Sequence, residues 1–190
     1  MSETGRDAPF DPRVPFTRAR ALLEGLTDAD LRGPRFQRVF TGVYVDRRAR
    51  VDVVLLARAA LAVCPPGSHA SHHTAGGIWD LCPPDQPLTH VSVPVEAEGT
   101  RRRGIKSHEM ASEPDVVQHR GVAVSTPVRT FLELSDLVSL VDLVVVGDRA
   151  VRKGRATPRR LIRAADAYHG RGARLARRAA RLVREGVDSP

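Results

Sequence analysis

The chain has 190 residues, of which 42% are hydrophobic, 27% charged and only 4% aromatic. This balance fits a folded globular protein with a core of Val, Leu and Ala. No apolar run approaches the roughly 18 residues of a membrane span, and the polar first ten residues lack a signal-peptide core, so a cytoplasmic protein is expected. The net charge of +8 is concentrated in two blocks: residues 151–190 carry 12 Arg or Lys against 3 acids and residues 13–50 carry 9 against 4, while residues 51–150 carry 8 against 12. That distribution suits a polyanionic partner.

In chain order, Pro9, Pro12 and Pro15 mark a loose arm. Thr17 is a plausible N-cap for a first helix that stops at Gly25, and Thr27 caps a second, with Asp28 and Asp30 in the first turn where the helix dipole favours acids. Gly33-Pro34 ends it. Two β-prone runs, 36–40 and 43–45, flank the turn signal Thr41-Gly42. Helix, tight turn, helix and basic hairpin is the order of a winged helix-turn-helix, with the second helix in the major groove and the hairpin along the backbone.

Beyond it, residues 51–63 form an apolar helix and 70–81 a second. Strands are expected at 89–95, 105–108, 116–118 and 121–124. Ser125-Thr126-Pro127 opens a helix bearing Phe131, Leu132 and Leu134. Residues 137–146 continue as a buried helix containing Asp142, Thr157-Pro158 opens another, and 172–183 carries an apolar stripe of Leu175, Ala179 and Leu182. The fold class is α+β with a small antiparallel sheet followed by helices.

Candidate DNA contacts are Arg18 and Arg20 on the first helix, Thr27 nearest the bases, and Arg32, Arg35, Arg38, Arg47 and Arg48 around the hairpin. A solvated surface written by an Arg-rich coding bias is the plainer alternative, since Lys106 and Lys153 are the only lysines. A second basic surface comprises Arg159, Arg160, Arg163, Arg174, Arg177, Arg178, Arg181 and Arg184, suited to nucleic acid, an acidic protein or solvent alone.

His69, His72, His73, Cys64 and Cys82 are possible zinc donors, with His69 and His73 four apart on one helical face. No C-x-x-C pair exists, however, so packing and polar caps are expected, with reduced cysteines and no metal or other cofactor. Ser125, Thr126 and His119 lack a nucleophile elbow. Pro114-Asp115 matches the opening of a PD-(D/E)XK site without the second carboxylate and lysine. No enzyme is expected.

Four ordered segments resemble the AbiEi-type antitoxins of type IV toxin–antitoxin systems. Val39-Phe40-Thr41-Gly42-Val43-Tyr44-Val45-Asp46 is similar to their RGVYV wing motif, and Ser71-His72-His73-Thr74-Ala75-Gly76-Gly77-Ile78-Trp79 to S-x-x-T-A-A-x-L-x-G. His90-Val91-Ser92-Val93-Pro94 with Arg103-Gly104-Ile105-Lys106-Ser107-His108 resembles H-V-x-V-P … R-G-x-x-x-H. The segment 124–134, from Val124 to Leu134, resembles T-x-P-x-R-T-x-x-D-L.

The expected organisation is a disordered arm over 1–12 and a winged helix-turn-helix over 13–50, and the resemblance implies an AbiEi-like antitoxin domain over 51–190. It further implies repression of the chain's own operon through double-stranded operator DNA, and antagonism of a nucleotidyltransferase-like toxin without a stable complex. It is closest to an actinobacterial branch often fused to a very-short-patch-repair-like nuclease. Because the chain stops at Asp188-Ser189-Pro190, near that junction, the regulatory half of such a fusion is the alternative. An RNA-binding protein is a further one, but only Tyr168 offers stacking among the C-terminal arginines. Two departures stand out: Gly76-Gly77, expected to loosen their helix by roughly 1 kcal/mol each, and Glu133 in place of Asp.

Overall fold

The computed structural model describes residues 9–110 and 115–184. The arm residues 1–8, Pro114 and the terminal Asp188-Ser189-Pro190 lie outside the described residues. Those described form an α+β fold of two small sheets and eight helices, and no helix among them is long and apolar enough to cross a membrane.

β1 (Phe16–Thr17) leads into α1 (Arg18–Leu23) and α2 (Asp28–Arg32), followed by the hairpin of β2 (Phe36–Phe40) and β3 (Val43–Asp46). The expected caps are in place. Thr17 Oγ1 accepts from Arg20 N at 3.2 Å. Thr27 Oγ1 accepts from Asp30 N at 3.1 Å while the Asp30 carboxylate accepts from Thr27 N at 2.8 Å, so the end of α2 satisfies two orphan donors reciprocally. Gly25, at φ +82°, provides the left-handed turn between the helices.

The first sheet is antiparallel in the order β1-β3-β2. A bulge between Arg38 and Phe40 sends two phenylalanines four residues apart to opposite faces. Phe36 joins Phe16, Ala21 and Leu31 beneath α1 and α2. Phe40 and Val43 pack against Ala59 and Ala60 of α3 (Val53–Leu61) on the other side. Phe10 stands edge-on to Phe16 at 5.0 Å, and Asp46 N donates to Pro12 O at 2.7 Å. The described part of the expected arm, 9–12, is therefore held against this sheet.

The remaining elements are β4 (His69–Ala70), α4 (His72–Ile78), β5 (Thr89–Val93), β6 (Ile105–Glu109), β7 (Val116–His119), β8 (Val122–Ser125), α5 (Pro127–Leu134), α6 (Leu140–Arg152), α7 (Pro158–Ala167) and α8 (Ala173–Ala180). The second sheet runs β6-β5-β4-β8-β7 and is mixed, not antiparallel as expected: β5–β6 and β4–β8 are parallel, β4–β5 and β7–β8 antiparallel. Residues 94–104 are long enough to return the chain for parallel pairing. The central strand β4 is only two residues long, too short to show an alternation, and it occupies the start of the expected helix 70–81.

Two further expectations need correction. The expected buried helix at 137–146 begins instead at Leu140, because Ser139 and Asp142 form a capping box, with Asp142 N donating to Ser139 Oγ at 3.2 Å. Leu137 and Val141 face solvent at 42% and 72% exposure. On α8 the buried positions are Ala176, Ala179 and Ala180, continued by Val183, whereas Leu182 is exposed. These small residues let α8 lie close to α6 and α7. Finally, Gly76 and Gly77 permit close approach: a Cβ on Gly76 would stand 2.8 Å from Pro83 Cγ and one on Gly77 3.1 Å from Val53 Cγ2. The main core lies under α5, where Phe131, Leu134, Leu143, Val146 and Leu161 are fully buried.

Candidate functional site

Two groups of side chains stand out, one basic and near the first sheet, the other built of histidines against the second. The backbone of the first sheet gathers cations at the open end of the hairpin. Arg47 N donates to Arg35 O at 2.9 Å and Arg47 Nε to Pro34 O at 2.9 Å, which places Arg35, Arg47 and Arg48 together just past the end of α2, where Arg32 lies. Arg35 also leans over the Phe36 ring, 5.1 Å from its centroid. Arg32, Arg38 and Arg48 are exposed and make no side-chain hydrogen bond or ion pair among the described residues.

The other expected contacts are committed within the protein. Arg18 grips Asp28, Arg20 pairs with Glu24 at 2.6 Å, and the Thr27 hydroxyl donates to Asp30 Oδ2 at 2.6 Å inside its capping box. The hairpin tip is held from one side by the segment before β6. Arg102 Nε donates to Thr41 O at 3.0 Å, and a Cβ on Gly104 would sit 3.0 Å from Phe40. The 100–104 segment packs against one side of the tip, where Thr41 stays exposed, and the open end is accessible.

The second basic surface divides similarly. Arg177 Nη2 donates to Tyr168 O at 2.9 Å and Arg181 Nη2 to Asp166 Oδ1 at 2.9 Å, tying α8 to α7. Arg159, Arg160, Arg163, Arg174, Arg178 and Arg184 remain exposed.

The histidine group was missed from the sequence as a unit. β5 alternates apolar Val91 and Val93, buried toward α3, with polar His90 and Ser92 on the opposite face. Because β6 is parallel to β5, Ser92 stands beside His108. The chain turn after β4 brings His72 over the same face, with His72 in the left-handed region at φ +49°. His108 Nε2 lies 3.0 Å from His90 Nδ1, and the His72 and His108 rings stack with centroids 3.7 Å apart. One ring nitrogen from each of His72, His90 and His108 falls within 4.8 Å of the other two.

Burial holds these imidazoles neutral: it pushes His72 down to about 2, His90 to about 3 and His108 to about 4. His69 and His73 do not share a helical face, since His69 lies in β4. Cys64 and Cys82 are free thiols; Cys82 Sγ lies 3.9 Å from Asp80 Oδ1.

Glu133 closes the group from α5. Its carboxylate accepts from His72 N at 3.1 Å, Ser125 Oγ at 3.1 Å and Arg129 Nε at 3.1 Å. Burial pushes its carboxyl up, opposed by those donors. His72, His108 and Glu133 line a cleft of about 880 Å³ whose walls include Arg129, Asp136, Tyr168 and Arg171, and His90 is buried behind them. His72, His90, His108, Arg129 and Glu133 all belong to the quoted motif segments, so the signal was present but lay on three segments far apart in sequence. Compared with known proteins, the chain matches no family model and no curated protein sequence.

Proposed function

We propose that the chain is a double-stranded-DNA-binding regulator whose residues 13–50 act as a winged helix-turn-helix. In this reading it represses its own operon in the cytoplasm. It also counteracts a nucleotidyltransferase-like toxin without forming a stable complex, as the resemblance to AbiEi-type antitoxins implies.

The observation that carries the reading is the strand–helix–helix–hairpin order, with β1 paired to β3, delivering Arg32, Arg35, Arg38 and Arg48 to the surface near the end of α2. Arginines so placed meet phosphates on either side of a groove. α2 has only five residues, and its first turn is acidic. Ala29 and Arg32 are its exposed positions without internal side-chain bonds; they suit a thymine methyl and a guanine edge respectively. In this reading the wing meets the backbone through its open end, where Arg35, Arg47 and Arg48 lie.

A gel shift on the promoter fragment upstream of the chain's own gene tests the proposal. Tighter binding to that fragment than to scrambled duplex is expected; equal affinity for both removes the repressor role.

A further inference from the structure

We propose that His72, His90 and His108 bind one divalent transition-metal ion of the zinc class, with a fourth coordination position open to the cleft. This inference is independent of DNA binding, since it rests on the second sheet with α4 and α5 and uses none of residues 13–50.

The donor spacing is already close to that of a chelate. A tetrahedral zinc ion with bonds near 2.0 Å sets its ligand nitrogens about 3.4 Å apart. His90 Nδ1 and His108 Nε2 are 3.0 Å apart, and the third nitrogen lies within 4.8 Å of both. Without an ion, one N–H must lie between His90 and His108. An ion would take both facing lone pairs at once. Neutral imidazole is the ligating form of histidine, and each ring offers a nitrogen to the ion. Three imidazoles without a thiolate or a carboxylate in the donor set suit zinc, nickel or copper, not magnesium or calcium.

The outer contacts are also of the kind that orient metal-bound histidines. His72 Nδ1 lies 2.9 Å from Ser71 Oγ and 3.9 Å from Glu133 Oε2, which leaves its other nitrogen for the ion. Glu133 is itself fixed by Arg129 and Ser125. His72 adopts its left-handed backbone while donating to this carboxylate, and that conformation sets its ring over His108. The His72 and His108 planes are only 18° apart, so their lone pairs run nearly parallel; loading requires one ring to turn about χ2. Three protein ligands leave the fourth position for water or an anionic oxygen entering the cleft.

The test uses metal-stripped full-length protein titrated with Zn²⁺ against a chromophoric chelator, and with Co²⁺ followed by its visible absorption. One equivalent of Zn²⁺ and an intense four-coordinate Co²⁺ spectrum are expected. His90→Ala and His108→Ala should each weaken binding by roughly a hundredfold or more, with His119→Ala, outside the cleft, unchanged. Zinc X-ray absorption on the loaded wild-type protein needs no variant, and should report three imidazole nitrogens at about 2.0 Å. A wild type that binds no more tightly than the His90→Ala/His108→Ala double variant, or a loaded ion with an oxygen-only shell, overturns the proposal.

Discussion

The Arg18 guanidinium holds the Asp28 carboxylate through two hydrogen bonds, Nε to Oδ1 at 2.7 Å and Nη2 to Oδ2 at 2.6 Å, joining the first residue of α1 to the first residue of α2. The hydrogen bonds from Arg18 hold the Asp28 carboxyl below its ordinary range. The pair is about half exposed on both sides, so its role in stability is small, but it withdraws one cation from the proposed DNA surface. Asp28→Asn should release Arg18 and tighten duplex binding, steepening the dependence of log K on log salt by roughly 0.9. Fluorescence anisotropy across a salt series measures this; weaker binding by the variant would show that the pair orients α2 for DNA.

Replacing Gly76 tests the close packing of α4. In an open helix, Gly to Ala gains about 1 kcal/mol. Here the added methyl meets Pro83 Cγ at 2.8 Å, and overpacking costs about 1–3 kcal/mol. Gly76→Ala should therefore lower the urea midpoint. A midpoint raised above wild type would mean that the Pro83 turn yields freely.

Glu133 holds Arg129, Ser125 and the His72 N–H from a site where its side chain is 6% exposed. Glu133→Ala strands all three and should cost about 3 kcal/mol, whereas Glu133→Gln keeps an acceptor and should cost less. Equal losses in denaturant unfolding would point to side-chain volume instead of these bonds.

Acid should loosen the metal-free protein before most carboxylates titrate. The folded-state values of about 4 for His69 and His108, 3 for His90 and 2 for His72 lie below the ordinary 6.5. The unfolded chain thus takes up protons first. The stability that the neutral histidines contribute is complete above about pH 6.5 and falls as pH drops through 4, by as much as about 1.4 kcal/mol per pH unit for each histidine. Thermal unfolding between about pH 7 and pH 4.5 reads this window; a flat profile there would place the rings in contact with water.

The helix ends were legible because their chemistry is local. Thr17, Thr27, Thr126 and Thr157 each cap the helix that follows, and Gly25 and Gly42 take the positive φ their turns demand. The sheet order was not, since β4 carries too few residues for a period and the β5–β6 pairing depends on where a long connection returns. Polar alternation in β5 marks a strand but not which face its polar residues meet, and all five residues are buried. Ser92 lines a polar cleft and His90 packs on His73 and His108, and neither surrounding is written in a single segment. Arg18, Arg20 and Thr27 showed the right chemistry for DNA, but their partners ten, four and three residues away take up much of it.

The most direct measurement of the central claim is the salt dependence of duplex binding by wild type and by an Arg35→Ala/Arg38→Ala variant. If these arginines lie on phosphates, the variant should bind promoter and scrambled duplexes more weakly by a similar factor, with a slope flatter by roughly 1.8. An unchanged slope, with affinity intact, would show that the open end of the hairpin does not touch DNA.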